Sequence, residues 1–235
     1  MKSIVRLFKN IIKGILNFFP WYIKLYKGRA WYTKLSLGIV SFFVSVFLFF
    51  GMVDMNFLWL FGKSPGFAEI KTPPTYAASE IYSADSVLIG KYFKENRIPV
   101  KYEEVNPTFW NALISTEDER FYEHSGIDFI ALGRAILKRG ILGHDNAGGG
   151  STITQQLAKQ VFSEKAHSTF ERLLQKPIEW IIAVKLERHF TKEEIIAMYL
   201  NYFDFLHNAV GIKRAANIYF SKEPRQLSVT EAATL

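Results

Sequence analysis

The hydrophobic pattern separates a membrane-like N-terminal part of the chain from a globular remainder. Residues 35–53 (LSLGIVSFFVSVFLFFGMV) form an uncharged run bounded by Lys34 and Asp54. As a helix, such a run spans about 28 Å, close to the hydrocarbon thickness of a bilayer. Trp31 and Tyr32 precede it, where interfacial aromatic side chains are common. The pattern predicts one transmembrane helix that acts as an uncleaved signal anchor, and the flanking charges disfavour the alternative of a buried core helix.

The charge distribution gives this span a direction. Residues 1–34 contain eight basic side chains and no acidic one, so the net charge of +7 belongs to that segment. Basic residues mark the cytoplasmic side of a span, which predicts a cytoplasmic N-terminus and an extracytoplasmic remainder. Apolar residues at helical spacing over 1–19 fit either a basic amphipathic helix on the inner leaflet or a basic flank that serves topology alone.

Composition excludes several classes of function. The part of the chain beyond the span is nearly neutral, so its charge gives no support to nucleic-acid binding. The chain has no Cys, which excludes a disulfide framework, a thiolate metal site and a Cys nucleophile.

Beyond the span, the pattern changes from strand-like to helical. A linker is followed by a hairpin with strands at 80–82 and 87–93, and helical periodicity begins near Asn106. Pro177 predicts that the helix over 170–188 starts late or is kinked. The predicted segments are a cytoplasmic tail, the span, the linker with its hairpin, and a helical domain, which cover residues 1–34, 35–53, 54–100 and 101–235.

The first chemistry-bearing segment is EDERFYEHSGID, residues 117–128. Glu117 follows an apolar helix, and a carboxylate at the end of such a helix, facing a cleft, suits a general base. The alternative is a solvated acidic face, with His124 in a structural role. The spacing does not match a zinc site.

Two further segments carry candidate anion-binding groups. Residues 148–159 (GGGSTITQQLAK) lead a glycine loop into a helix, whose free N–H groups attract anions, although an ordinary N-cap would look the same. In residues 175–179 (QKPIE), Lys176 and Glu179 are three residues apart and share a helix face, as a simple surface ion pair also would.

Together these segments resemble the peptidoglycan glycosyltransferase family, the membrane-anchored module of class A penicillin-binding proteins. Five motifs carry the resemblance over roughly residues 77–235: E-D-x-x-F-x-x-H-x-G-x-D from Glu117, G-x-S-T-x-T-Q-Q-x-x-K from Gly149, R-K-x-x-E at 175–179, E-I-x-x-x-Y-L-N from Glu194, and G-x-x-x-A-A-x-x-Y-F from Gly211. The chain departs from the pattern at Gln175, where the family usually has Arg, and at Ser221, which replaces a common Gly.

The resemblance implies a fold and a reaction. The expected fold is mainly α, a lysozyme-like two-lobed glycosyltransferase domain with a small β-hairpin, preceded by one transmembrane helix. The expected reaction polymerises lipid II into β-1,4 glycan strands with inversion and releases undecaprenyl pyrophosphate. Glu117 would be the base on the acceptor hydroxyl, and Glu179 would be a second catalytic carboxylate near the pyrophosphate.

The resemblance also implies the groups around the substrate. Bare Glu179 would repel a pyrophosphate, so we expect Lys159, Lys176 or a divalent cation (Mg²⁺ or Mn²⁺) beside it, with Arg172 taking the place of the missing Arg at position 175; no organic cofactor is expected. The predicted substrate-binding residues are Asp118, Phe121, His124, Ser151, Thr152, Gln155, Gln156, Lys159, Arg172, Lys176 and Asn201.

The expected partners are lipid II, the growing lipid-linked glycan, the bacterial cytoplasmic membrane, and proteins of the elongation or division machinery, with no nucleic acid. Two alternatives remain: a membrane-anchored, lysozyme-like enzyme that cuts glycan, and a wall-assembly scaffold with a dead site. The transpeptidase signature S-x-x-K is absent from these residues, and the pattern ends inside a capped helix. We therefore expect the sequence to be the front part of a longer bifunctional protein.

Overall fold

The computed structural model describes residues 13–14, 17–18, 20–57, 60–72, 79–92, 98–141, 143, 149–163, 166–207 and 209–235. The predicted amphipathic helix over 1–19 and the centre of the glycine-rich loop lie mostly outside the described residues. The chain divides into two compact units, Met1–Met52 and Val53–Leu235, which we describe separately.

A long apolar helix, α1, begins at Trp31 and ends at Asp54. It is long and apolar enough to cross a membrane, by length and composition, and it extends the predicted span of residues 35–53 by four residues towards the N-terminus. Its large side chains are exposed rather than packed, as Phe47 and Leu48 illustrate. The alternative of a buried core helix is therefore not what the structure shows.

The second unit is mainly helical, as the sequence predicts. Its helices are α2 (Phe67–Lys71), α3 (Pro107–Glu117), α4 (Phe129–Ala135), α5 (Ile153–Phe162), α6 (Thr169–Glu187), α7 (Lys192–Tyr202), α8 (Ile212–Phe220) and α9 (Val229–Thr234). Short 3₁₀ turns lie at Tyr102–Glu104 and Pro224–Gln226, and α4 continues into a π-helical segment, Ile136–Ile141. Two antiparallel strands, β1 (Ser79–Tyr82) and β2 (Leu88–Tyr92), form the predicted hairpin within one residue of the expected bounds.

Side-chain caps fix where most of these helices begin. Asn106 accepts a hydrogen bond from the backbone N–H of Thr108 (3.0 Å), and Pro107 occupies the first turn of α3, where its missing N–H costs nothing. Capping boxes open α7 at Thr191 and α9 at Ser228. The prediction of a late start at Pro177 was wrong: Ser168 caps α6, and the helix continues through the proline.

The core of this unit forms where α5 packs against α6 and α7. Ile153 and Leu157 of α5 lie one turn apart and are fully buried, as are Ile182 of α6 and Ile195 and Ile196 of α7. Repeats at four-residue spacing place apolar side chains on one helix face. This packing fixes α5, which carries much of the site described next.

Candidate active site

A cleft of about 370 Å³ opens between the end of α3, the start of α4 and the start of α5. Its walls combine acidic, basic and hydroxyl side chains with glycine backbone. They comprise Ser115, Thr116, Glu117, Asp118, Glu119, Arg120, Asp128, Ala131, Arg134, Gly149, Gly150, Ser151, Thr152 and Gln156. Residues from the first two sequence motifs therefore meet in one cavity.

Glu117 is the last residue of α3, and its side chain is exposed to this cleft. Its Oε2 atom accepts a hydrogen bond of 2.8 Å from Nε2 of Gln156 on α5. A carboxylate at the C-terminal end of a helix faces the negative end of the helix dipole, so the amide donor offsets an unfavourable field. The result is a solvent-accessible carboxylate with one oxygen held and the other open to a ligand.

The neighbouring residue, Asp118, turns away from solvent. Its carboxylate accepts hydrogen bonds from the backbone N–H of Ile153 (3.0 Å) and from Nε2 of His124 (3.1 Å). The Nδ1 atom of His124 accepts from the backbone N–H of Gly126 (3.2 Å), which assigns the ring proton to Nε2. Asp118 thereby holds the first turn of α5 against the loop that follows α3.

The carbonyl oxygen of Gly126 accepts two hydrogen bonds from residues at the start of α5. Thr152 Oγ1 donates to it at 2.7 Å and Gln155 Nε2 at 3.2 Å. Gly126 has φ of +92°, and a Cβ atom there would lie 2.9 Å from the backbone of Ala183 in α6. Only glycine fits this position, because a side chain would be strained by φ and would collide with the helix.

These contacts change the expected role of several predicted substrate-binding residues. Phe121 is fully buried, and His124 and Gln155 are also buried and do not line the cleft, so in this structure they shape the site from behind. Asp118 and Thr152 border the cleft, but their polar groups bond to the protein.

Glu179 lies behind the site and is completely buried. Arg172, two turns earlier on α6, makes a bidentate ion pair with it, and Lys176 Nζ lies 3.1 Å from its Oε2 atom. Positions 172, 175, 176 and 179 share one face of α6, so the guanidinium of Arg172 reaches Glu179 from two turns away. Arg172 also donates to Gln175 Oε1 at 3.3 Å.

The three charged side chains, Arg172, Lys176 and Glu179, form a group that we call the α6 triad, with a formal charge of +1. Lys176 Nζ also donates to Ser151 Oγ (3.0 Å), and Ser151 lines the cleft. The buried carboxylate thus orders two cations and is linked to the cleft through Lys176 and Ser151.

The residues do not fit the divalent cation that the resemblance left open. Both oxygens of Glu179 are bonded to the cations of the α6 triad, which leaves no free carboxylate donor at this position. Among the residues that the structure describes, no three His, Asp or Glu side chains come together in a way that could hold a metal ion.

Two predicted residues lie elsewhere. Lys159 is exposed near the end of α5 and does not line the cleft. The side-chain amide of Asn201 donates to the carbonyl of Val100 (2.9 Å) and accepts from its N–H (2.9 Å). Asn201 therefore fixes the segment that enters the domain, and its binding of substrate stays a prediction.

Sequence reasoning missed three residues around the site. Arg120 and Arg134 line the cleft, and Arg120 Nε lies 3.5 Å from Asp128, the N-cap of α4. Tyr199 belongs to the E-I-x-x-x-Y-L-N motif, but sequence reasoning assigned it no role. Its hydroxyl donates a hydrogen bond to Gln156 Oε1 (3.1 Å). Tyr199 and Glu117 also line a second cavity of about 360 Å³, whose walls are more apolar. Glu117 therefore stands between two cavities.

Comparison with known proteins agrees with this arrangement. Residues 85–235 match the family model described as Transglycosylase. The chain is 43% identical over 160 residues to penicillin-binding protein 1F of Bacillus subtilis, covering 68% of this chain and 22% of that protein. It is 38% identical over 171 residues to penicillin-binding protein 1A of Escherichia coli, covering 73% and 20%, and 37% identical over 207 residues to penicillin-binding protein 1A of Aquifex aeolicus, covering 86% and 27%. The chain thus spans about a fifth to a quarter of the length of these curated relatives.

Proposed function

This chain belongs to the transglycosylase family, and from that premise we propose that it is a peptidoglycan glycosyltransferase. Its substrate would be lipid II, which it would join into β-1,4 glycan strands. The observation that carries the proposal is the position of Glu117, an accessible carboxylate held by Gln156 at the meeting point of two cavities. A base that lines two cavities suits a reaction that joins two sugars, because each cavity could hold one of them.

The chemistry follows from the groups around the cleft. The C4 hydroxyl oxygen of the acceptor attacks the anomeric carbon of the donor, and its proton passes to the carboxylate of Glu117. The bond from the anomeric carbon to the phosphate oxygen breaks, and undecaprenyl pyrophosphate leaves with the electron pair. Attack from the face opposite the leaving group inverts the anomeric centre.

Positive charge near Ser151 supports the departure of the pyrophosphate. The α6 triad has a formal charge of +1, and its Lys176 bonds to Ser151 at the wall of the cleft. Cations held in place before the reaction stabilise charge that develops on a leaving group. Arg134, exposed on α4 and also lining the cleft, adds a further cation.

We extend the proposal to location and partners. Helix α1 would anchor the protein in the bacterial cytoplasmic membrane, with a cytoplasmic N-terminus and an extracytoplasmic catalytic domain. Proteins of wall elongation or division are the expected protein partners. A lipid-linked substrate is consistent with an enzyme tethered beside the bilayer.

The test is polymerisation of labelled lipid II by the whole chain in proteoliposomes. We expect wild type to form glycan polymer and Glu117→Gln to lose at least a hundredfold in rate, because the amide cannot take the proton. Glu193→Gln, an exposed carboxylate that lines neither cavity, is the matched control and should keep the wild-type rate. Release of soluble fragments from finished peptidoglycan, without polymer from lipid II, would favour the glycan-cleaving alternative.

The scaffold alternative makes a different prediction. A protein that only assembles partners would support growth of a deletion strain equally well as wild type or as Glu117→Gln. Loss of complementation by a stably expressed Glu117→Gln protein would exclude that alternative.

A further inference from the structure

Three helices contribute one residue each to a hydrogen-bonded chain that ends at Glu117. Tyr199 of α7 donates its hydroxyl to Gln156 Oε1 (3.1 Å), and Gln156 of α5 donates its Nε2 amide to Glu117 Oε2 (2.8 Å) at the end of α3. The ring of Tyr199 is 2% exposed, so the hydroxyl is fixed by the core and not by solvent. The chain crosses the partition between the two cavities.

Each link in this chain has a defined direction. An ionised carboxylate only accepts, so the amide must present its NH₂ group to Glu117 and its oxygen to the other side. Among the residues that the structure describes, Tyr199 is the donor that reaches that oxygen, which would otherwise have no partner there. A glutamine side chain has three rotatable bonds, and a partner at its far end limits the positions that its amide can take.

The phenol remains a donor over the working pH range. Burial raises the pKa of Tyr199 above its usual value of 10.0, and the negative charge of Glu117 raises it further. The hydroxyl therefore stays protonated at neutral pH. A hydrogen bond to the amide oxygen of Gln156 also strengthens the hydrogen bond that its amide N–H donates to Glu117, because linked hydrogen bonds polarise one another.

We infer that Tyr199 is a positioning residue for the base: it holds the Gln156 amide where that amide binds Oε2 of Glu117 and leaves Oε1 free to receive the acceptor's proton. This inference rests on the proposed function, since it assigns a role within that reaction. It also gives a role to the tyrosine of the E-I-x-x-x-Y-L-N motif.

The test is Tyr199→Phe, which removes one oxygen and keeps the ring that packs in the core. In lipid II polymerisation we expect kcat to fall about tenfold, equivalent to about 1.4 kcal/mol of lost transition-state stabilisation, with KM changed less than twofold. Tyr219→Phe is the matched control: its hydroxyl donates to the Phe205 carbonyl (2.7 Å), away from Glu117, and its loss should leave kcat unchanged.

A double-mutant cycle separates positioning from a general loss of structure. Gln156→Ala removes the link, so adding Tyr199→Phe to it should cause no further loss of kcat. Independent factors that multiply in the double variant would overturn the inference, as would wild-type kcat in Tyr199→Phe. Thermal unfolding of each variant confirms that the enzyme is folded at the assay temperature.

A readout that needs no turnover keeps the inference separate from the proposed function. The ¹⁵N side-chain amide resonances of Gln156, in protein labelled at glutamine, should shift and broaden in Tyr199→Phe and remain unchanged in Tyr219→Phe. Unchanged Gln156 resonances in Tyr199→Phe would overturn the inference. Failure of the wild-type protein to polymerise lipid II, with the shift present, would instead overturn the proposed function.

Discussion

Gly126 offers the sharpest test of how the site is assembled. Its carbonyl binds Thr152 and Gln155 at the start of α5, while its Cα lies against α6. The perturbation is Gly126→Ala, which adds a single methyl group at φ of +92°. The methyl would lie 2.9 Å from the carbonyl carbon of Ala183 and 3.0 Å from its oxygen, closer than Cβ contacts in folded proteins.

Two costs add at this position. A positive φ costs an L-residue about 1–2 kcal/mol, and forcing an extra carbon into packed backbone costs about 1–3 kcal/mol. The lower entropy of unfolded alanine returns about 0.4–1 kcal/mol. We expect a net loss of about 1–5 kcal/mol in the free energy of unfolding, or about 2–20 °C in melting temperature for a chain of this size.

The assay is thermal and denaturant unfolding in detergent, followed by tryptophan fluorescence, to which the buried Trp110 contributes. Gly133→Ala is the control, because Gly133 lies within α4 and a Cβ there would meet nothing within 4 Å. That variant should be neutral or gain up to about 1 kcal/mol from better helix propensity. Equal stability of the two alanine variants, within about 1 kcal/mol, would refute the close approach of Gly126 to α6.

Two further predictions concern charge. Arg172→Gln should lower the rate of lipid II polymerisation at least tenfold. Adding Gln175→Arg should restore most of that rate, because position 175 shares the face of α6 that carries Glu179. A double variant no faster than Arg172→Gln would contradict the idea that an Arg at either position can pair with Glu179. The second prediction concerns stability in acid. Burial raises the pKa of Asp128, but hydrogen bonds from the backbone N–H groups of Ala131 and Ile130 and the charge of Arg120 outweigh burial and hold this pKa below its usual 3.8. A folded-state pKa below the unfolded value contributes stability that is present above pH 3.8 and is lost as the pH falls below 3.8 and through the lower folded-state pKa. Acid titration of Asp128→Asn should therefore show a shallower loss of stability below about pH 4 than wild type.

Features encoded by local sequence could be predicted well. The apolar run 35–53 predicted α1, and the cap at Asn106 and the capped helix at the end of the sequence predicted the starts of α3 and α9, because a cap needs only residues within one turn. The pairing of Lys176 with Glu179 followed from their three-residue spacing. These interactions depend on helix geometry alone.

Features that join distant parts of the chain were not predictable in the same way. Asn201 binds Val100 across 101 positions, and Tyr199 binds Gln156 across 43. Motif position alone could not distinguish Glu117, which faces the cleft, from His124 and Phe121, which the core covers. Only the packing of α5 against α6 and α7 decides which polar groups become scaffold.

The boundary between Glu117 and Asp118 has a consequence for how this region can vary. These two consecutive carboxylates lie in different environments: Glu117 is exposed to solvent, and Asp118 is buried under the first turn of α5. One inserted residue near the end of α3 would rotate the following side chains by about 100° and move Glu117 towards the buried place of Asp118, and one deleted residue would move Asp118 towards the exposed place of Glu117. Insertions and deletions near the end of α3 are therefore selected against even where single substitutions are tolerated. We expect sequences in this stretch to diverge by substitution, with the spacing between residues unchanged.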